Sequence, residues 1–370
     1  MNVSGNGKLF VRGVFTAAIL LALTLPAPAL TFNVTFDGSV TNLANAAQVE
    51  TAITNVTQVF QSLYTNAMTV NITFYFSSGV SLGQSSTAET GNPSYSQLTN
   101  ALRAARTTLA ASNSVASLPP TDPTPNSSAG TNWWIPTAEA KALNGFFGVT
   151  TNNSGQDGLV YFASTVSYTF DPTNRAVSGK YDFIAVAEHE ISEVLGRIDG
   201  LNISSGGYVP YDLFRFTNSA ARNFSISSTN VYFSVDDGVT SLKAFNSPVN
   251  GGDLQDWASS STADSFDAFL ASGQEAPLSS ADLTTLNILG YKLNLAIPRL
   301  AATRSGSTNI LLTFTNVTGL NFSILASTNI ATAATNWTVL GTPIEAPAAG
   351  QYQFTDSITN KTRFYRVRLN

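Results

Sequence analysis

The chain has no cysteine, one histidine among its 370 residues, and few charges, since Asp, Glu, Lys and Arg together make up 11%. The absence of cysteine excludes disulfides, thiolate-bound zinc, iron–sulfur clusters and a cysteine nucleophile. A single histidine excludes every site that needs two imidazoles from one chain. The net charge of −5 disfavours nucleic acid and anionic membrane surfaces as partners.

The N-terminal residues predict a secretory signal. Lys8 and Arg12 supply positive charge ahead of an apolar run over 14–25, and small residues follow this run up to Ala29. The run is shorter than the ~20 apolar residues of a membrane-spanning helix. We therefore expect a signal peptide at 1–29 and a secreted protein, extracellular or periplasmic, with no membrane partner after cleavage. A retained membrane anchor is the alternative interpretation.

The hydrophobic pattern changes character near Pro298. Before it, patterns typical of helices and strands mix. We predict helices at 42–67, 95–109, 137–143, 182–195 and 279–291, strands at 31–36, 70–76, 158–170, 223–226 and 231–235, and a loop at 112–132. After it, only short alternating strands follow, at 309–314, 321–325, 337–340, 351–354 and 363–369. The sequence thus predicts an α+β fold, with a first domain at 30–293 and a small all-β sandwich of Ig-like or fibronectin III-like topology at 294–370.

The only histidine lies in the predicted helix at 182–195. His189 and Glu193 are four residues apart, so they lie on one face about one turn apart and can share a cation. Glu190 lies beside them, where its carboxylate can polarise a metal-bound water. Gly196 is suited to end the helix in a left-handed conformation.

Simpler interpretations of these charged residues exist. Glu193 and Arg197 are also four residues apart, which is typical of a surface ion pair. Four further acids, Asp236, Asp237, Asp253 and Asp256, lie in Gly- and Asn-rich segments. They are either calcium ligands or, as we favour, exposed loop acids.

The helix resembles the active-site helix of the metzincin metalloproteases. Residues 189–199 follow the pattern His-Glu-x-x-His-x-x-Gly-x-x-His/Asp, with Glu193 in place of the second histidine and Asp199 in the last position. Residues 181–197, 211–216, 232–234, 252–257 and 282–291 are similar to a group of secreted bacterial proteins classed as metalloproteases. This likeness spans most of 155–293. The end of the chain, Phe364-Tyr365-Arg366-Val367, resembles accessory modules of exported bacterial proteins.

The resemblance implies a zincin-like catalytic domain that binds a divalent metal, with zinc as the first choice. His189 and Glu193 would be ligands, either Asp199 or Asp212 the third ligand, and Glu190 the catalytic general base. The chain departs from the metzincin pattern at Glu193 and in lacking a methionine after the helix, since its methionines are Met1 and Met68. A carboxylate-rich site also admits manganese or calcium.

Two functions from different classes follow. The first is an exported peptidase that hydrolyses protein or peptide substrates with a metal-activated water, the oxyanion being held by Arg197 or by a tyrosine such as Tyr208. The second is an inactive zincin-like surface protein whose sandwich module binds a glycan or a protein. A serine hydrolase is disfavoured because His189 is the only imidazole.

Overall fold

The computed structural model describes residues 29–91, 93–125, 132–201, 207–260, 262–294, 298–306, 308–316, 322–333, 336–348, 350–357 and 362–369. The predicted signal peptide lies outside the described residues except for Ala29. In the part of the chain that is described, no helix is both long enough and apolar enough to cross a bilayer.

The described chain is a mixed α+β protein, which confirms the predicted class. The helices are α1 Gly38–Thr41, α2 Ala46–Leu63, α3 Tyr95–Ala105, α4 Leu109–Ala116, α5 Thr137–Ala142, α6 Phe183–Val194 and α7 Ser280–Ile288. The strands of the first part are β1 Thr31–Phe36, β2 Thr69–Ser77, β3 Gly83–Thr87, β4 Glu89–Gly91, β5 Asn132–Pro136, β6 Gly158–Ala163, β7 Tyr168–Thr169, β8 Tyr181–Asp182, β9 Gly207–Tyr208, β10 Arg215–Asn218, β11 Ala221–Arg222, β12 Tyr232–Phe233 and β13 Lys243–Ala244.

A four-stranded sheet in the order β1-β2-β6-β3 supports the first part of the molecule. The first three strands are parallel, and β3 runs antiparallel to β6 at one edge. Alternate residues such as Phe74 and Phe162 are buried on one face, where the ring of Phe162 meets that of Phe183 in α6. The α6 helix therefore packs against the sheet and beside the edge strand β3.

Local hydrogen bonds fix both ends of α6. Asp182 caps the N-terminus, because its Oδ1 accepts hydrogen bonds from the amides of Ile184 and Ala185 at 3.2 and 3.3 Å. At the other end Gly196 has φ = 121°, which confirms the predicted left-handed termination. A side chain at Gly196 would also lie 3.0 Å from the Glu139 carboxylate, so the turn has room for glycine alone.

Several predicted boundaries are wrong, each for a local reason. The helix predicted at 95–109 ends at Ala105, because Arg106 is extended and Thr108 caps a new helix by accepting from the Ala111 amide. That helix, α4, occupies the start of the predicted 112–132 loop. The helix predicted at 42–67 is confined to α2, with the short α1 before it. No strand forms at 223–226, because the Asn223 side chain accepts from the backbone two residues later.

Residues 298–369, where described, form strands and no α-helix. The strands are β14 Ala301–Ser305, β15 Asn309–Thr315, β16 Phe322–Ser327, β17 Thr338–Gly341, β18 Ile344–Glu345, β19 Gln351–Ser357 and β20 Phe364–Leu369. They pair into two antiparallel sheets, β14-β15-β19-β18 and β17-β16-β20. The ring of Phe322 on the second sheet packs against Phe314 and Tyr352 on the first, at 5.1 and 4.9 Å.

Candidate metal centre

The polar face of α6 lines a cleft of about 690 Å³. One wall of the cleft is the edge strand β3, and the facing wall consists of two loops, at 251–256 and 264–270. His189, Glu190 and Glu193 project from α6 into the space between these walls. Helix α6 therefore carries His189, Glu190 and Glu193, as the sequence predicts, and it presents them to a cleft.

Three side chains converge at the base of this cleft. His189 Nε2 lies 3.4 Å from Glu193 Oε1 and 3.3 Å from Asp256 Oδ1. One potential ligand atom from each of the three residues lies within 4.8 Å of the others, and this is the only such group found in the described residues. One imidazole and two carboxylates can therefore bind the same ion.

A hydrogen bond at the far side of the ring orients His189. Its Nδ1–H donates to the Ser265 carbonyl at 2.9 Å, which leaves Nε2 directed at the two carboxylates. The Ser265 hydroxyl in turn donates to Glu188 Oε2 at 2.8 Å, so α6 also anchors the loop that supplies the carbonyl. This arrangement, with the second ring nitrogen bound to a carbonyl, is typical of metal-ligating histidines.

The Glu193 carboxylate is held by neutral donors as well as by His189. Ser85 on β3 donates to Oε2 at 2.8 Å, and Gln255 donates to Oε1 at 3.0 Å. Burial alone would raise the pKa of Glu193, but the hydrogen bond and charge of His189, together with the Arg197 charge, lower it to about 2. Glu193 is therefore an anion in the cleft.

Arg197 lies beneath the cluster and is fully buried, which is incompatible with the surface ion pair considered from the sequence. Its Nη1 donates to Asp256 Oδ1 at 2.5 Å, its Nη2 lies 3.4 Å from Glu193 Oε1, and its Nε donates to the Ser192 hydroxyl at 2.8 Å. The guanidinium also stacks 4.3 Å from the centre of the Phe266 ring. Arg197 thus joins the helix to both cleft loops.

Charges within the cluster are balanced. Burial lowers the pKa of His189, but Asp256 and Glu193 outweigh this and hold the pKa well above its ordinary value. Two cations, protonated His189 and Arg197, therefore face two anions, Glu193 and Asp256. A metal that binds here replaces the imidazole proton.

Glu190 is buried beside the three-residue cluster without being part of it. Within the described residues its Oε2 has no hydrogen-bond partner. Burial first, and the Glu193 charge second, raise its pKa well above the usual range. Strand β3 passes so close that a side chain at Gly83 would collide with the Glu190 carboxylate and with Val186.

The two aspartates predicted as third ligand lie apart from the cluster, next to each other. Asp212 is fully buried and its Oδ2 accepts from the amides of Gly200 and Val209, both at 3.0 Å. Asp199 lines the cleft, and its Oδ1 accepts from the Leu201 amide at 3.1 Å. The residue that the structure brings to His189 and Glu193 is therefore Asp256.

Sequence reasoning placed Asp256 among exposed loop acids, but it is 3% exposed. It follows Gln255, which also contacts the cluster, and both lie in the segment 252–257, one of those for which the sequence predicted a resemblance. That segment was the one available signal, since no spacing connects it to the helix. Of the other three loop acids, Asp236 accepts hydrogen bonds from the backbone amide and the hydroxyl of Thr240, four residues later.

The candidate oxyanion groups do not line the cleft. Arg197 is buried below it, and Tyr208 is buried against Trp133 and Phe224. The tyrosine that does line the cleft is Tyr181.

The chain also contains the sequence Gly-Val-Ser-Leu-Gly at 79–83, which has the spacing of a hydrolase nucleophile motif. Ser81 lines the cleft in the connection between β2 and β3. That motif requires a turn from a strand into a helix, whereas here a strand follows. The His189 nitrogens already face Ser265, Glu193 and Asp256, so the arrangement does not form a serine–histidine pair.

No protein-family model matches this chain, and no curated protein sequence is significantly similar to it.

Proposed function

We propose that this protein is an exported, metal-dependent peptidase with a zincin-like catalytic domain at 30–293. One observation carries the proposal: His189, Glu193 and Asp256 converge in an open cleft, beside Glu190, whose Oε2 has no hydrogen-bond partner among the described residues. An imidazole, two ligand carboxylates and a further acid can together support metal-assisted hydrolysis.

The donor set suits a divalent cation. His189 has its second nitrogen fixed by a carbonyl, and Glu193 is an anion held by four neighbours, Ser85, Gln255, His189 and Arg197. Zinc accepts such a mixture of nitrogen and oxygen ligands, and the excess of carboxylates makes manganese a close competitor. His189, Glu193 and Asp256 would hold the ion, which would supply Lewis acidity and lower the pKa of a bound water.

Glu190 would then act as the general base. It would accept a proton from the attacking water at the carboxylate and deliver it to the nitrogen of the leaving amine. Its burial fits this role, because a raised pKa makes the carboxylate a stronger base toward the attacking water.

The edge strand β3 provides a means of aligning a peptide. It is the last strand of its sheet among those described, and it borders the cleft along residues 81–87. An extended peptide can add to such an edge through main-chain hydrogen bonds. A peptide bound there would lie next to Glu190, which β3 contacts at Gly83.

For the C-terminal residues, 294–370, we propose an Ig-like or fibronectin III-like sandwich that binds a glycan or protein near the site of action. Its two antiparallel sheets and their shared aromatic core support this assignment. Secretion is proposed on the sequence of residues 1–29 alone.

One observation favours a second function, a metal-free binding protein. Arg197 and protonated His189 already balance the two carboxylates, so the cluster needs no ion for its stability. In that case the cleft would bind a ligand without hydrolysing it. Metal content together with proteolysis distinguishes the two functions.

The test is casein hydrolysis by protein purified without chelators. We expect about one divalent metal per chain, loss of activity with chelator and recovery when zinc or manganese is returned. Glu190→Gln should abolish cleavage and retain metal. Glu50→Gln, an equivalent change on α2, should behave as the wild type. Cleavage that survives in Glu190→Gln contradicts the mechanism, and a folded, metal-free, inactive protein favours the binding function.

A further inference from the structure

The walls of the cleft carry a large excess of acid. Its lining residues include eight carboxylates and one imidazole, and no lysine or arginine. Acids lining one cleft create a negative potential that concentrates cations there. An excess of acid does not identify a ligand by itself. Which acids could bind a ligand depends on the partners that each of them already has.

Five of the eight acids already have a charged partner or a proposed role. Glu193 and Asp256 bind Arg197, and Glu190 has the role proposed above. Asp264 forms an ion pair with Lys243 at 2.8 Å, and Asp199 lies within reach of the Arg215 charge.

Three cleft acids remain that form no ion pair with any described residue, and they are Glu89, Asp253 and Asp267. Glu89 and Asp253 are exposed to solvent. Asp267 is different, because it is almost completely buried.

Asp267 is 7% exposed, and its Oδ2 accepts from the Asp264 amide at 3.1 Å. Its Oδ1 is buried and has no partner among the residues described. Leaving a buried carboxylate oxygen unpaired is costly unless something else satisfies it. The Asp267 backbone lies two residues beyond Ser265, whose carbonyl holds His189, so the unpaired oxygen is near the candidate metal centre.

An exposed aromatic residue follows this acid by two positions in the same loop. Phe269 lines the same wall and is 49% exposed. It also meets the neighbouring loop of that wall, since a side chain at Gly252 would lie 2.9 Å from the ring. Gly252 immediately precedes Asp253. The loop 264–270 therefore contributes both a carboxylate oxygen without a described partner and an exposed ring to the same cleft, a combination that suits a long cationic side chain with an apolar stem.

We propose that Asp267 and Phe269 form a subsite for a lysine or arginine side chain of the substrate, so that the cleft selects cationic peptides. This inference rests on the proposed peptidase function for its reaction, but the subsite itself is defined by its ligand. The cationic group pairs with Asp267 Oδ1, and its methylene stem lies on the Phe269 ring.

Cleavage of matched peptides tests the selection. The peptides form a quenched-fluorescent series that is identical except for lysine, methionine or glutamate at one position, with that position moved through the sequence. We expect kcat/KM for the best lysine peptide to exceed that of its methionine counterpart by about tenfold, the effect of one charge-assisted hydrogen bond. In Asp267→Asn the lysine advantage should disappear while the methionine peptide is cleaved as before.

Two further variants keep the test specific. Phe269→Ala changes an exposed side chain, so it tests the subsite even if Asp267→Asn folds poorly, and it should also reduce the lysine advantage. Glu89→Gln removes the same charge from the cleft rim and should preserve the lysine-to-methionine ratio. An equal loss in Glu89→Gln and Asp267→Asn would show a general field and overturn the subsite.

Binding separates this inference from the peptidase proposal. Fluorescence anisotropy of the labelled lysine and methionine peptides is measured with Glu190→Gln, with and without Asp267→Asn. Cleavage without charge preference overturns the subsite and leaves the peptidase intact. Absence of cleavage with Asp267-dependent binding of the lysine peptide supports the subsite and removes the peptidase. Equal binding of both peptides, or none, together with no cleavage removes both.

Discussion

Arg197 Nη1 donates to Asp256 Oδ1 at 2.5 Å, and this bond connects the end of α6 to a loop 59 residues later in the chain. Both side chains are buried, so the ion pair is shielded from solvent. It holds Asp256 next to His189 and Glu193. Arg197 is therefore a positioning residue for the cluster.

Replacing Arg197 tests this role. Arg197→Met leaves two buried carboxylates without a permanent counter-charge, and we expect the free energy of unfolding of metal-free protein to fall by about 3–5 kcal/mol. Zinc should restore more stability to this variant than to the wild type, because the ion takes over the neutralisation. Urea unfolding measures both effects. Arg299→Met, at an exposed position, should change stability by less than about 0.5 kcal/mol. Equal losses in the two variants would contradict the assignment.

Gly83 allows β3 to pass directly over Glu190. Gly83→Ala places a methyl group against the Glu190 carboxylate and Val186. We expect a loss of about 1–3 kcal/mol from overpacking, and reduced cleavage of casein with metal content unchanged. Gly79→Ala is the matched control, since its nearest neighbour would be the Ser77 hydroxyl at 3.5 Å. Full activity of Gly83→Ala would show that Glu190 is free to move.

Asp212 predicts a pH dependence of stability. Burial, and then the neighbouring Asp199 charge, raises the pKa of Asp212 to about 7, although Arg215 and two backbone amides act in the opposite direction. In the unfolded chain the Asp212 carboxyl ionises near pH 4. Between pH 4 and 7 the folded state therefore binds more protons than the unfolded state, and stability falls as pH rises. Above pH 7 this contribution is constant.

The variant Asp212→Asn removes this titration and retains an oxygen for the Gly200 and Val209 amides. The melting temperature of the variant relative to the wild type should therefore increase from pH 4 to pH 7.5. A difference that does not change with pH would show that Asp212 ionises normally in the folded protein.

Asp256 is the proposed third metal ligand, and sequence spacing did not identify it. In Asp256→Asn we expect zinc affinity, measured by calorimetry, to fall by at least about tenfold. Asp199→Asn and Asp212→Asn should retain wild-type affinity, because neither residue joins the cluster. Loss of affinity in either of these two variants, with Asp256→Asn unaffected, would return the third ligand to the helix-proximal aspartates.

Short-range patterns predicted the parts of this site that lie on one element. The helix predicted at 182–195, with its end at Gly196, corresponds to α6, and the four-residue spacing placed His189 above Glu193. Two-residue alternation likewise located most strands of the C-terminal sheets. These features depend only on neighbours in the chain, which the sequence displays directly.

The remaining parts depend on contacts between distant segments. Asp256, Gln255 and Ser85 reach Glu193 and its neighbours from loops and from β3, and nothing local distinguishes them from surface residues. The burial of Arg197 reverses the interpretation of an ordinary helical ion pair, because it depends on Phe266 and Asp256 folding over it. The position of β3 over Glu190 likewise depends on the order of the strands in the sheet, which local sequence does not reveal.

The most direct measurement is anomalous scattering at the zinc edge from crystals of the full chain grown with zinc. We expect one peak per chain, about 2.0–2.3 Å from His189 Nε2 and from oxygens of Glu193 and Asp256. A structure with no peak, and with the Arg197 ion pairs occupying the cluster, would contradict the metal centre. A peak bound by Asp199 and Asp212 would contradict the ligand set.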